Sequence, residues 1–138
     1  MKRRVFVDTG YLVALLDRRD DLHQRAVDLA AELSKAAALL STSDAVLVEL
    51  ANYCARGPLR GDAIASIAAI RAATDWTIAP FTAELLGAAE ARYAAHADKN
   101  WSLTDCLSME VMGAARVREI ATHDAGFEQA GFRALLRS

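Results

Sequence analysis

Apolar positions change period several times along the chain, and each change marks an element. Arg4 to Asp8, "RVFVD", places apolar residues at successive positions, as in a short strand buried on both faces. Thr9-Gly10 then turns the chain into the apolar run Tyr11 to Leu16, a helix. From Leu22 to Leu40 the apolar positions Ala26, Leu29, Ala30, Leu33 and Ala37 recur at helical spacing. A second short strand around Leu39 to Thr42 ends at Ser43-Asp44, both good helix caps, and Ala45 to Arg56 forms the next helix until Gly57-Pro58 stops it. A further Ala/Ile helix covers Leu59 to Ala73, Trp76 to Pro80 is strand-like, and Thr82 caps a helix through Ala97. After the loop "DKNWS", a helix runs to about Ala115. "REIAT" then gives a fourth strand ending at Thr122, "HDAGFEQAG" a turn with a short helix, and "FRALL" a possible fifth strand.

Short apolar strands alternating with helices predict an α/β fold: a three-layer α/β/α sandwich around a central, mostly parallel sheet of four or five strands. The chain has 138 residues, enough for one domain spanning 1–138 with a real core and too few for two. A hydrophobic share of 54% against 25% charged is the balance of a packed chain rather than a disordered one. Its start, "MKRRVFVDTGYLVALLDRR", imitates the basic-then-apolar order of a signal peptide. Asp8 interrupts the apolar run, however, and no small-residue cleavage site precedes Asp17-Arg18-Arg19. No uncharged apolar run approaches the roughly 18 residues that span a bilayer, so a cytoplasmic protein is expected. Cys54 and Cys106 lack the close spacing of a zinc or redox motif and read as buried, reduced thiols. A net charge of -2 argues against coating nucleic acid through bulk charge.

In open parallel sheets, ligands bind outside the carboxyl ends of the strands, and four acids fall there. Asp8 ends the first strand, Glu49 lies just over a helical turn after the second, Asp105 begins a helix, and Asp124 follows the fourth strand. Each also has a structural use. Ser102-Leu103-Thr104-Asp105 matches a capping box, Asp124 can cap the short helix after it, and Asp8 can accept bonds from its own turn. Glu49, between Leu47, Val48 and Leu50, is best explained by an inward role. Carboxylates gathered on one face repel and raise each other's pKa unless a cation neutralises them. Mg²⁺ or Mn²⁺, one or two ions, suits an all-oxygen set; without a His/Cys cluster, zinc does not.

The ordered set "VFVDTG", "STSDAVLVEL", "WSLTDCLSMEVM" and "ATHDAGFEQAGF" resembles the PIN-domain ribonucleases over nearly the whole chain, and in size and layout is similar to the VapC-like toxins of type II toxin-antitoxin pairs. By that resemblance Asp8, Glu49, Asp105 and Asp124 form the acidic site, with Thr9 and Thr104 as nearby hydroxyls and Asp124 equally suited to an outer-shell role. The implied activity is Mg²⁺-dependent endoribonuclease hydrolysis of RNA, in which the metal lowers the pKa of a bound water and shields the phosphate. The resemblance also implies a separately encoded antitoxin. The alternative is a non-catalytic PIN-like module that binds metal or RNA and acts through a protein partner.

"DTG" also occurs in aspartic proteases, but those are mostly β and this chain is Ala-rich and helical. A haloacid-dehalogenase-like phosphatase needs a second Asp where Gly10 stands. His123 reads as an exposed turn residue rather than a general base, and His23 as a solvent-facing residue or a helix contact. Tyr11, Trp101 and Phe127 read as packing residues, with Tyr11 close enough in sequence to Asp8 to line the site. Arg56, Arg60 and Lys99 are candidates for RNA backbone contacts. A homodimer is expected because two adjacent sites would widen a small RNA-binding surface, with Ala63 to Ala73 and Ala83 to Ala97 as candidate interface faces.

Overall fold

The computed structural model describes residues 1–137. Five strands form one sheet in the order β3-β2-β1-β4-β5, every neighbouring pair parallel. The strands are β1 (Arg4–Val7), β2 (Leu39–Ser43), β3 (Trp76–Ala79), β4 (Glu119–Ala121) and β5 (Arg133–Ala134). Between them lie α1 (Thr9–Leu16), α2 (His23–Lys35), α3 (Asp44–Tyr53), α4 (Arg60–Ala72), α5 (Ala83–Ala95), α6 (Leu103–Ala115) and α7 (Ala125–Gln129). The α/β architecture expected from the alternating pattern is therefore present, with all five strands parallel.

β1 is the centre of the sheet. Val5, Phe6 and Val7 have 0% exposure, which is why three successive apolar residues are needed where an edge strand would alternate. β1 pairs with β2 through Arg4↔Leu39 to Phe6↔Ser41, and with β4 through Val5↔Glu119 to Val7↔Ala121. From β1 the chain steps outward through β2 to β3, then crosses back to β4 on the other side of β1. Right-handed crossovers place α1 to α4 on one face and α5 to α7 on the other. The contacts agree: α1 packs on α2 and α3, α3 on α4, α5 on α6, and α6 on α7. Because the helices after β1 and β4 leave to opposite faces, the sheet opens a crevice at the carboxyl ends of those two strands.

The helix starts follow their caps. Ser43 Oγ accepts the Val46 amide at 3.2 Å, and Thr82 Oγ1 accepts the Leu85 amide at 3.1 Å. Each satisfies one of the four unpaired amides of a first turn. Two helix ends close through a left-handed residue; the first departs from the pattern-based expectation, whereas α6 stops at Ala115 as expected. The apolar period runs on to Ala37, yet α2 stops at Lys35 because Ala37 turns into the left-handed region at φ 51°. The Ala38 amide then bonds Leu33 O and the Ala37 amide bonds Ser34 O, both at 3.0 Å, which is a Schellman ending. Arg116, at φ 57°, ends α6 in the same way, with the Val117 amide on Met112 O. Both turns lead straight into strands, and neither has the glycine that normally signals them.

A side chain held in the left-handed region costs about 1–2 kcal/mol, which exceeds the extra chain entropy that glycine loses on folding. Ala37→Gly is therefore expected to stabilise the protein by about 0.5–1 kcal/mol in urea unfolding, with an unchanged m-value.

Candidate functional site

The crevice at the ends of β1 and β4 is a cleft of about 600 Å³ whose lining includes Asp8, Glu49, Asp105 and Asp124. Four acids separated along the chain thus come together at one site, as expected. Asp8 stands at the N-cap position of α1 but makes no cap bond; its Oδ2 accepts the Thr122 hydroxyl at 2.8 Å. That bond crosses from the end of β4 to the end of β1. Burial accounts for the charge state of Asp8: only 8% exposed, its carboxyl is pushed up to about 7. Desolvation is the largest cause, and the negative charges of Asp105 and Glu49 add to it against the Thr122 hydrogen bond.

Asp105 caps and also faces the cleft. Ser102 Oγ accepts the Asp105 amide and Asp105 Oδ2 accepts the Ser102 amide, both at 3.0 Å, closing the capping box. Its carboxyl is nevertheless raised, first by burial and then by the charges of Asp124 and Glu49, while the Ser102 amide opposes the shift. Asp124 Oδ1 accepts the Gly126 amide at 2.8 Å and starts α7. In Asp105 and Asp124 these local bonds fix the side chain through one oxygen, and both residues line the cleft.

The two threonines part company. Thr9 lines the acidic cleft, and its hydroxyl is buried with no hydrogen-bond partner among the described residues. Thr104 lines a neighbouring groove with Ala45, Val48, Phe81, Leu86 and Leu107, which shares Glu49 with the acidic cleft. His123 is exposed at the cleft's edge. His23 places Nδ1 2.7 Å from Ala14 O and ties the start of α2 to α1. Tyr11 and Phe127 are core residues, at 4% and 0% exposure. Trp101 is buried too, and its indole N–H donates to Gln129 Oε1 at 3.1 Å. Arg60 donates to Ala55 O, and Lys99 pairs with Asp98 at 3.3 Å.

Sequence reasoning passed over Asp20, Tyr53 and Thr122, all of which line the cleft. Thr122 had a readable signal, since it ends a strand two residues before an acid. Asp20 had none: its Oδ1 accepts the Leu22 amide in a tight turn, and only the packing of α1 and α2 brings it to the site. Among the described residues, no helix is long and apolar enough to cross a membrane.

The PIN domain profile matches residues 5–133, and the chain belongs to that family. Among solved structures, it is similar to Mycobacterium tuberculosis VapC20, described as a sarcin-ricin-loop-cleaving toxin. The TM-score is 0.83 at 30% identity, over 93% of this chain and 95% of that one. FitAcB from Neisseria gonorrhoeae shares the fold at TM-score 0.63 and 16% identity, over 94% of each chain. Comparison with curated protein sequences gives no match.

Two outcomes follow from this geometry. Asp8 has a folded pKa near 7, above its unfolded value of 3.8, so the folded state holds the extra proton and metal-free stability falls as pH rises between about 4 and about 7. Asp8→Asn, whose amide oxygen can still accept from Thr122, is expected to raise metal-free stability near pH 7 by about 2–4 kcal/mol and to flatten that slope in thermal melts with EDTA. Gly126 meets a different constraint: an added Cβ would lie 2.9 Å from Trp101 Cδ1 and 3.1 Å from Asp124 Oδ1. Gly126→Ala should therefore cost about 1–3 kcal/mol and change near-ultraviolet circular dichroism as the indole shifts.

Proposed function

We propose that this PIN domain is a metal-dependent endoribonuclease acting as the toxin of a toxin-antitoxin pair. The observation that carries the reading is the gathering of Asp8, Glu49, Asp105 and Asp124 in one cleft, in a chain 30% identical to VapC20. Burial pushes the Asp8 carboxyl up to about 7, with the charges of Asp105 and Glu49 adding to it; a buried acid with acidic neighbours is costly to a fold unless it has a use, and neutralising a cation is the chemistry it fits.

The donors are all oxygen: four carboxylates and the unpartnered Thr9 hydroxyl. Mg²⁺ or Mn²⁺, as one or two ions, takes such donors while keeping several waters. Among the described residues no three His, Cys, Asp or Glu side chains stand close enough together to hold a metal ion as they are, so the carboxylates would close on an ion that water and phosphate complete. Asp8, Glu49 and Asp105 would hold it, with Asp124 as a ligand or as an acceptor for metal-bound water. When bound, the metal activates water and offsets charge on the phosphate during in-line attack. The chain's own part is positioning. The Thr122 bond fixes Asp8, the capping box fixes Asp105, and Thr9 offers a hydroxyl to a water or a phosphate oxygen. Thr104, in the adjoining groove, would contact substrate beyond the reacting group.

That groove also suits a partner. Val48 and Phe81, 56% and 51% exposed, line it beside Glu49. An antitoxin laying apolar side chains there could reach the acids with a basic one, Arg being the best match to a carboxylate pair. A homodimer would set two clefts side by side for one RNA. The competing reading, a non-catalytic module, draws on the capping role of Asp105.

Asp105→Asn separates the two readings, because the amide keeps an acceptor for the Ser102 N–H and removes the charge. Mg²⁺-dependent cleavage of RNA should fall by about 10³-fold or more, with a stability change within about 1 kcal/mol. Full cleavage by the variant would return Asp105 to a capping role and remove the metal-site reading.

A further inference from the structure

A second cavity, also of about 600 Å³, opens where α5 ends and α6 begins, lined by residues that include Tyr93, His96, Lys99, Asn100, Trp101 and Ser102. We propose that it is a nucleotide subsite that holds a base of single-stranded RNA next to the acidic cleft. The inference rests on the ribonuclease reading and adds to it where an unpaired base of the substrate is bound.

The cavity has the chemistry of a base site and differs from the acidic cleft in its lining. Its lining contains no acid, and it combines flat rings, an amide and a cation. Tyr93 leaves 54% of its surface in water on a helix otherwise rich in small residues, and its hydroxyl has no hydrogen-bond partner among the described residues. An aromatic ring so exposed is a platform on which a base can stack. The His96 ring sits 4.8 Å from that of Trp101, at 36°, and its Nδ1 contacts Arg92 O at 3.0 Å. The imidazole is thus held in place before any ligand arrives. Asn100 is exposed, and its side chain, with no hydrogen-bond partner among the described residues, can offer both donor and acceptor to a base edge. Lys99 is committed only to Asp98, an exposed pair at 3.3 Å with Asp98 73% exposed, a partnership weak enough to yield to a phosphate.

The second argument is position. Ser102, part of this cavity's lining, is joined to Asp105 of the acidic cleft by the two bonds of the capping box. Trp101, also in the lining, packs against Gly126, whose amide is bonded to Asp124. Only one helix cap and one ring separate the two cavities. A strand with its scissile phosphate at the acids would put a neighbouring nucleotide over Tyr93, and the rigid Trp101 wall would set the distance between them.

The test uses the full chain in a Trp76→Phe background, so that Trp101 is the sole tryptophan. Binding of short single-stranded oligoriboadenylate, oligoribocytidylate and oligoribouridylate is read in EDTA by Trp101 fluorescence, and Mg²⁺-dependent cleavage of an RNA substrate is followed separately. Tyr93→Ala and Asn100→Ala should each weaken binding by about tenfold and raise KM in step, with the single-turnover rate at saturating RNA unchanged. Tyr93→Trp, followed by anisotropy of labelled RNA, should restore stacking and affinity. RNA affinity and KM unaffected by both alanine variants, in a protein that cleaves RNA, would overturn the subsite and leave the ribonuclease reading standing. Failure of the parent chain to bind or cleave any RNA would remove both.

Discussion

The hydrogen bond from Thr122 to Asp8 joins the ends of two parallel strands at the point where the chain changes direction across the sheet. Everything at the site depends on those strands lying side by side. Val5 to Val7 of β1 are fully buried, so its register with β4 is fixed by packing on both faces, and a slip by one residue would exchange its inward and outward side chains. The same register puts a carboxylate at the mouth of the crevice with very little exposure. Burial then raises its pKa, and the nearby charges of Asp105 and Glu49 increase the cost. The sheet is thus stable enough to impose on one acid an environment that the acid alone would avoid.

Local chemistry explains why some features could be read from the residues. The run Val5-Phe6-Val7 declares a doubly buried strand, and Ser43, Thr82 and Ser102 declare the helix starts they cap. The four acids could be grouped because a parallel sheet puts all its strand ends on one edge. The illegible features are those set by tertiary contact. Ala37 continues a helical period and yet closes the helix, because the Schellman bonds and the strand beyond it outweigh the steric cost of a left-handed alanine. Asp20 reaches the cleft only through the packing of α1 on α2. Thr104 follows the same capping residue as Asp105 and falls in a different groove, since adjacent positions on a helix point about 100° apart.

The two cavities flanking the Ser102–Asp105 cap show how one short segment can serve several ends. Its serine starts α6, its aspartate faces the acids, and Trp101 just before it fills the space above Gly126. Replacing any of these would alter helix stability and site geometry together, which is why an acid in a capping box is compatible with a second role. Charge follows the same division: carboxylates converge on one side of the cap, while Lys99 and exposed aromatic surface lie on the other.

The bond between Asp8 and Thr122 spans 114 positions of sequence, and this separation sets a schedule for the molecule. During synthesis β1 emerges first and must wait, with one edge open, until β4 has left the ribosome and the loop between them can close. A ribosome-bound fragment ending before β4 has neither Thr122 nor Asp124, and leaves Asp8 beside an unpaired strand edge. The cleft therefore assembles late in folding, and incomplete chains lack it altogether.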